Sequence, residues 1–543
     1  MEYTIRGVCG QEGCRETRYY LDNGLWFCRR GHQQEGRQVE EEPDDFGTQG
    51  KTNRVKKAVT EKGAKTYRGR QAYRLFLQVY QLILWKQCHA LVQSRGFPAQ
   101  LEHVVRDLWA LRLETYLNKI QDSSDGGEIE FFSSQPTADQ EEPDIVKFGG
   151  KHLQWPRLVD SVALCYLGAL LMRLPVGIGD FHRMIMYGDI PYIRITRSIP
   201  REMRDKLPQE YLSIIETTRL LKAEHLHKAV LQLSLLYRHK FGVHFPALNL
   251  PPILYYYIRR LALPVDIYSA VKRLQVLLGF SFEFPKGLAS RSRPHDLPEI
   301  QLITLIVIST KLLFPFDDLK RYPASAKEPT TQVIDWKHWA QAQRQFDSRE
   351  TARGRIGKGN EILVDERDVF HMTPSQLDEY MNWYENNWLD NSKASNPLSD
   401  LFPVGPTGTD SREVAGPPDE DDEEAIGSML RTVTQQLKPR KVITEDNSDV
   451  PRPGSSYVRY KMESDLPENA RPFYETAAKV VGVSLSTLVR AVSHAEYKIM
   501  RWLEDQRRIE LYGDASGIEF AKFDSSDDMG EQDMTDSDDS PSY

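Results

Sequence analysis

The sequence predicts a mainly α-helical protein that carries a small, metal-held β-module at its N-terminus. Cysteine and histidine residues crowd into the first 32 positions with the spacing C-x4-C-x13-C-x3-H. From about residue 69, apolar residues recur at helical spacing for roughly 250 residues. Two stretches within that region, in residues 158–174 and 300–316, are apolar on nearly all sides, which is typical of the central helix of a packed bundle.

The length of 543 residues exceeds one ordinary core, so the chain should fold as several units. Composition and periodicity divide it into a metal-binding module, an extended connector, two helical bundles, a helical C-terminal region with an acidic linker, and a disordered acidic tail. The predicted boundaries are 1–35, 36–68, 69–200, 201–322, 323–522 and 523–543, and the first bundle contains an acidic insertion at 126–150. Five cysteines are too few for a secreted disulfide framework and indicate a reducing, intracellular setting.

Cys9, Cys14, Cys28 and His32 are the predicted ligands of one structural Zn²⁺ ion. Three thiolates and an imidazole complete a tetrahedron and leave no open position for a catalytic water. The residues between the two pairs are typical of the short strands of a zinc ribbon: Tyr19, Tyr20, Leu25, Trp26 and Phe27. A stretch this short and polar needs the cross-link that a metal ion provides in order to fold. The two other cysteines, Cys88 and Cys165, lie in apolar helical patterns and should be buried thiols.

The connector changes from acidic to strongly basic along its length and shows no hydrophobic periodicity, so it should be extended when alone. Cations at this density can neutralise phosphates, and a solvated linker is the alternative interpretation. The candidate nucleic-acid or cleft contacts are Lys51, Arg54, Lys56, Lys57, Lys62, Lys65, Arg68 and Arg70.

Motifs for catalysis and for membrane insertion are missing from the sequence. The string Glu224–His227 places two histidines two positions apart, where they diverge on a helix, and a solvated helical face is the better interpretation. No H-E-x-x-H motif or complete phosphate-binding loop occurs, which indicates that the protein is not an enzyme. The apolar run at 300–316 is short for a membrane span and is interrupted by Lys311 and Pro315, so no membrane partner is expected.

The order of ribbon, connector and bundles resembles transcription factor IIB and its relatives, in which a zinc ribbon, a reader and a linker precede two cyclin folds of five helices. Within that group it is similar to the IIB-like subunit of the fungal RNA polymerase I core factor. The segments that carry the resemblance span residues 1 to about 320: CGQEGC at 9–14, CRRGH at 28–32, DDFGTQGK at 44–51, RGFPAQLEHVVRDLW at 95–109 and LPVGIGDFHRMIMYGDIPYIR at 174–194.

The resemblance implies a nuclear and nucleolar initiation factor that recruits and positions RNA polymerase I at the rDNA core promoter. The ribbon would dock on the polymerase, the connector would enter the cleft, and the cyclin folds would lie over upstream DNA. It implies as partners two other core factor subunits and, as a further candidate, the TATA-binding protein. It also implies a reader segment made of Asp44, Asp45, Phe46, Gly47, Thr48, Gln49 and Gly50.

Three alternatives stay open from the residues themselves. One is an initiation factor of the same class for another RNA polymerase. Another is a helical enzyme with an accessory zinc finger. The third is a zinc-ribbon helical scaffold that has no role at DNA.

Overall fold

The computed structural model describes two compact units, residues 1–63 and 64–543. The residues it describes are 4–5, 9, 13–22, 25–38, 66–122, 155–217, 220–286, 297–348, 356, 359–388, 418–444 and 450–512. The predicted insertion at 126–150 and the predicted tail at 523–543 lie outside these ranges. Within them, no helix combines the length and the apolar character that crossing a bilayer requires.

The first unit contains an antiparallel sheet of four strands that pair in chain order. Its central hairpin pairs Tyr19 with Cys28 and Asp22 with Leu25. The rings of Tyr20 and Phe27 stack across this hairpin with their centroids 5.9 Å apart. The prediction of short strands between the two ligand pairs is therefore confirmed, and the strands are β1 Thr4–Ile5, β2 Arg18–Asp22, β3 Leu25–Cys28 and β4 Gln33–Gln38.

The first helical bundle is built around α3, which is buried from Leu158 to Leu170 apart from Val159. This confirms the prediction that the apolar stretch beginning at residue 158 is central. Both α1 and α2 pack against it. The helices of this part of the chain are α1 Gly69–Arg95, α2 Gln100–Asp122, α3 Leu158–Leu171, α4 Ile178–Met186, α5 Arg201–Arg204 and α6 Gln209–Ile215.

The second bundle is built in the same way around α10, whose side chains are buried from Pro298 to Lys311 apart from Gln301. Gly279 ends the helix that precedes α10 in the chain, in the left-handed conformation at φ 65°. The helices here are α7 Ala223–Phe241, α8 Leu250–Arg260, α9 Asp266–Leu278 and α10 Pro298–Leu313. Since α7 also packs against α3 and α4, the two bundles share one continuous core.

The C-terminal region is integrated into that core. Its last two helices pack against α10, and the first of them also packs against α4. A short antiparallel pair, β5 Gln332–Val333 and β6 Lys438–Pro439, lies within the same region. The helices are α11 Trp336–Asp347, α12 Glu366–Val369, α13 Pro374–Trp388, α14 Pro418–Gln435, α15 Arg471–Val481 and α16 Leu485–Tyr512.

An aromatic cluster holds the C-terminal region in place. Phe473 of α15 lies 5.4 Å, between ring centroids, from both Trp336 and Trp339 of α11. Phe316, just after α10, lies 4.4 Å from Trp336. The indole N–H of Trp339 donates to the carbonyl oxygen of Leu261 over 2.8 Å, so the polar atom of this buried ring is satisfied.

One histidine contradicts the prediction of a solvated face at 224–227. His225 is exposed as predicted, but His227 is buried, and its Nε2 lies 3.0 Å from the carbonyl oxygen of Val481. Burial lowers the pKa of His227 to about 4, so the ring is neutral at physiological pH. The reason is tertiary: α15 covers this side of α7, and no local pattern reveals that.

Candidate metal centre and nucleic-acid surface

The four predicted ligands converge in the first unit. The sulfur atoms of Cys9, Cys14 and Cys28 and a ring nitrogen of His32 all lie within 4.8 Å of one another. Nδ1 of His32 is 3.5 Å from Sγ of Cys28 and 3.9 Å from Sγ of Cys9. The three thiols are buried, so the donor atoms face inward around one point.

The backbone holds these ligands through two turns. In the first, the N–H of Cys9 donates to the carbonyl oxygen of Glu16 over 3.1 Å. In the second, Cys28 ends β3, and Gly31 takes a φ of 85°, which brings the N–H of His32 to 3.4 Å from Sγ of Cys28. A left-handed residue is required there, and glycine adopts it without strain.

The thiols do not titrate alike. Burial pushes the pKa of Cys28 upward, but N–H groups of His32 and Arg30 and the neighbouring thiols outweigh it, so the pKa lies below its usual value. At Cys14 a backbone hydrogen bond from Glu16 lowers the pKa. Desolvation and the adjacent thiols raise the pKa and together outweigh this bond, so the pKa lies above its usual value.

The donor set fits a tetrahedral Zn²⁺ ion. Bond lengths of about 2.3 Å to sulfur and about 2.0 Å to nitrogen put tetrahedral ligand atoms roughly 3.5 to 3.8 Å apart. The two measured sulfur–nitrogen separations, 3.5 and 3.9 Å, lie close to that range. Three cysteines and one histidine fill every position, so the geometry suits a structural ion.

Most of the predicted nucleic-acid and reader residues fall outside the described residues. This applies to the reader segment 44–50 and to six of the basic candidates: Lys51, Arg54, Lys56, Lys57, Lys62 and Lys65. The two that are described, Arg68 and Arg70, are exposed at the beginning of α1. The backbone N–H of Tyr67 donates to the carbonyl oxygen of Lys206 over 2.8 Å. The basic stretch around Lys206 therefore lies next to the beginning of α1, which the sequence analysis did not predict.

Three protein-family models match successive parts of the chain. Residues 3–36 match the zinc-finger of the RNA-polymerase I-specific TFIIB, Rrn7. Residues 80–201 match the N-terminal cyclin domain of Rrn7/TAF1B, and residues 219–388 match its C-terminal cyclin domain. These are three successive parts of one family, in order. The chain belongs to the Rrn7/TAF1B family.

Three relatives are similar over 92%, 72% and 33% of the chain. The RNA polymerase I-specific transcription initiation factor rrn7 of Schizosaccharomyces pombe is 26% identical, over 92% of this chain and 98% of its own length. RRN7 of Saccharomyces cerevisiae, a transcription initiation factor of the same name, is 21% identical, over 72% of this chain and 75% of its own length. A TATA box-binding protein-associated factor for RNA polymerase I from Danio rerio is 24% identical over 33% of this chain and 32% of its own length.

The fold has a solved counterpart. A chain in the crystal structure of the S. cerevisiae core factor aligns with a TM-score of 0.50 and 16% identity, and the alignment covers 81% of this chain and all of that one. At this identity the likeness shows the fold alone. The prediction of a mainly α-helical chain with an N-terminal zinc ribbon and two cyclin folds is therefore confirmed.

Proposed function

We propose that this chain is an RNA polymerase I-specific transcription initiation factor that recruits and positions the polymerase at the rDNA core promoter. One observation supports this above the others: a polymerase I-type zinc ribbon and both Rrn7/TAF1B cyclin domains follow one another in a single chain. A relative named as such a factor aligns over 98% of its own length. The role requires positioning and stabilisation and no chemical step, so no catalytic residues are assigned.

The first unit serves this function as a stiff docking module. Cys9, Cys14, Cys28 and His32 would hold one structural Zn²⁺ ion, which supplies the cross-link that a four-stranded sheet with so few buried residues needs. The buried apolar side chains that the structure describes in this sheet are few, and they surround the thiols. A module fixed by metal offers the polymerase a defined surface without a large core.

The connector serves as the part that enters the cleft. Its basic residues and the reader segment at 44–50 would order on binding and face nucleic acid or the acidic walls of a polymerase. The cyclin folds would lie over the upstream promoter DNA, held by two other core factor subunits, with the TATA-binding protein as a further contact. These partners place the protein in the nucleus and, where rDNA is transcribed, in the nucleolus.

Affinity purification of the full chain from its own cells, with the bound proteins identified by mass spectrometry, tests this proposal. We expect stoichiometric polymerase I subunits together with two large core factor proteins. Recovery of polymerase II or III subunits would favour an initiation factor of the same class for another RNA polymerase. Recovery of an unrelated complex would overturn the proposal. As a matched internal test, a chain that lacks residues 44–53 should still recover the same partners but fail to support initiation on a promoter template.

A further inference from the structure

The exposed face of α1 has an unusual composition. Its outward positions follow one another at steps of three and four residues and carry long polar or cationic side chains and one tryptophan: Arg70, Arg74, Gln78, Gln81 and Trp85. The helix contains no acidic residue anywhere in its 27 residues. A solvated helix face normally mixes both signs of charge, so this face departs from the ordinary pattern.

A second basic segment lies alongside this helix. The stretch from residue 191 to 211 runs antiparallel to α1, because Gln87 donates to the carbonyl of Pro191, Lys86 donates to that of Ser198, and Tyr67 donates to that of Lys206. It carries three acids, Glu202, Asp205 and Glu210, against the cations Arg194, Arg197, Arg201, Arg204 and Lys206. With Arg68, Arg70, Arg74 and Lys86 from the helix side, the combined surface is strongly positive.

On the side of α2, one acid pairs with the far end of the α1 face. Glu102 of α2 lies 3.3 Å from Nδ1 of His89, one turn beyond Trp85. Asp107 of α2 lies 3.2 Å from its own neighbour Arg106. Between Arg68 and Gln81 the exposed positions of α1 carry neither an acid nor an apolar side chain.

We infer that the α1 face, with the segment 197–206 beside it, binds the phosphate backbone of duplex DNA. From Arg70 to Trp85 the face is about 22 Å long, and a duplex of that length carries about a dozen phosphate charges. Arginine and glutamine donate to phosphate oxygens and to base edges, and both types stand here in line. This inference rests on the proposed function and names the surface through which the first cyclin domain meets DNA.

An acidic protein is a poorer fit to the same surface. Protein interfaces centre on buried aromatic and aliphatic side chains, and the face offers no exposed apolar group over its first three turns. Trp85, with 49% of its surface exposed, stands at one end and stacks on His89 with ring centroids 5.2 Å apart. Gln78, Gln81 and Trp85 also border an apolar groove of about 550 Å³ between α1 and α2. The cations Arg68, Arg70 and Arg74 form the part of the face that suits a uniformly charged rod.

The test measures the salt dependence of DNA binding by the full chain. A duplex of mixed sequence, long enough to span the face and labelled with fluorescein, is titrated at several KCl concentrations on either side of physiological salt. The variant Arg68→Gln/Arg74→Gln/Lys206→Gln removes three cations from the surface. Its matched control, Lys228→Gln/Lys240→Gln/Arg273→Gln, makes the same charge change at exposed positions on α7 and α9. A third variant, Gln78→Glu/Gln81→Glu, adds acids to the face and removes no cation.

We expect the surface variant to bind DNA about tenfold or more weakly near physiological salt. The slope of the logarithm of its binding constant against the logarithm of the KCl concentration should be shallower by about 2 to 3. The control variant should keep most of the wild-type affinity and most of the wild-type slope. The acidic variant should also weaken binding. Equal losses in the surface variant and the control, or an unchanged slope, would overturn the inference. Polyglutamate serves as the acidic-protein probe. If the surface variant loses binding to polyglutamate and keeps binding to DNA, the inference is also overturned. If polymerase I still co-purifies while the slope is unchanged, the inference fails and the proposed function stands; if another polymerase co-purifies, the proposed function fails.

Discussion

Lys311 on α10 and Glu496 on α16 form an ion pair inside the protein, with Nζ 2.8 Å from Oε1. Their side chains are 4% and 2% exposed. The ring centroid of Tyr460 lies 3.9 Å from the same ammonium, and the hydroxyl of Tyr457 donates to the same carboxylate oxygen. Burial lowers the pKa of Lys311, although the Glu496 carboxylate opposes this. Two segments 185 positions apart in the chain are therefore joined by charges that depend on each other.

Removal of one member of this pair should cost more than removal of both. Lys311→Met leaves a buried carboxylate without its partner, and we expect a loss of about 3–5 kcal/mol in the free energy of unfolding. Lys311→Met/Glu496→Leu should recover most of that loss, because the charge left without its partner, Arg459 at 3.9 Å from Glu496, reaches solvent. Urea unfolding of the helical unit, followed by far-UV circular dichroism, measures both. If the single and double variants are equally destabilised, the two charges are not coupled.

The metal centre predicts a local loss when one ligand is changed. In Cys28→Ser the tetrahedron loses a thiolate at the end of β3, so the ribbon should release Zn²⁺ and unfold while the helical unit keeps its structure. Elemental analysis measures the loss of zinc, and far-UV circular dichroism measures whether the helical unit stays folded. The control is Cys88→Ser, a buried thiol in α1, which should leave the zinc stoichiometry at one. Collapse of the helical signal in Cys28→Ser would contradict the independence of the two units.

Glu299 predicts a pH dependence of stability. Burial raises its pKa to about 8, although Tyr166 and the N–H of Ile178 donate to the carboxylate, and nearby Asp180 raises it further. Because the pKa is higher in the folded than in the unfolded protein, this group's stabilisation is complete below about pH 4.5 and is lost as pH rises towards 8.

A glutamine at position 299 keeps an acceptor and does not titrate. Wild type should therefore lose stability relative to Glu299→Gln between about pH 5 and 8, by at most about 1.4 kcal/mol per pH unit. Urea unfolding midpoints at several pH values measure the difference. Parallel curves for the two proteins would show that the Glu299 carboxyl does not keep its proton in the fold.

Gly179 predicts the cost of a single methyl group. A Cβ at this position of α4 would overlap the carbonyl oxygen of Val480 and lie 2.9 Å from the carbonyl carbon of Val481, both backbone atoms of α15. Gly179→Ala should therefore destabilise the helical unit by about 1–3 kcal/mol. Gly427→Ala, in α14 where no atom lies within 4 Å, should instead stabilise its helix by about 0.5–1 kcal/mol. Similar unfolding midpoints for the two variants would contradict the close approach of α4 and α15.

Local patterns in the sequence predicted what local physics determines. The spacing of Cys9, Cys14, Cys28 and His32 predicted that their donor atoms converge, because two turns and a hairpin bring them together. The all-round apolar character of α3 and α10 showed that they are central without showing what surrounds them. Contacts such as that between His227 and Val481, 254 positions apart, depend on packing that no window of sequence contains.

The packing of α15 and α16 against α10 has a consequence for folding during translation. Residues 298–313 leave the exit tunnel long before residues 471–512, and at about 5–20 residues per second the gap lasts on the order of ten seconds or more. During that interval a largely apolar segment, in which only Glu299 and Lys311 are ionisable, lacks the two helices that later pack against it. Nascent chains of this length should recruit chaperones that hold exposed hydrophobic segments until translation is nearly complete.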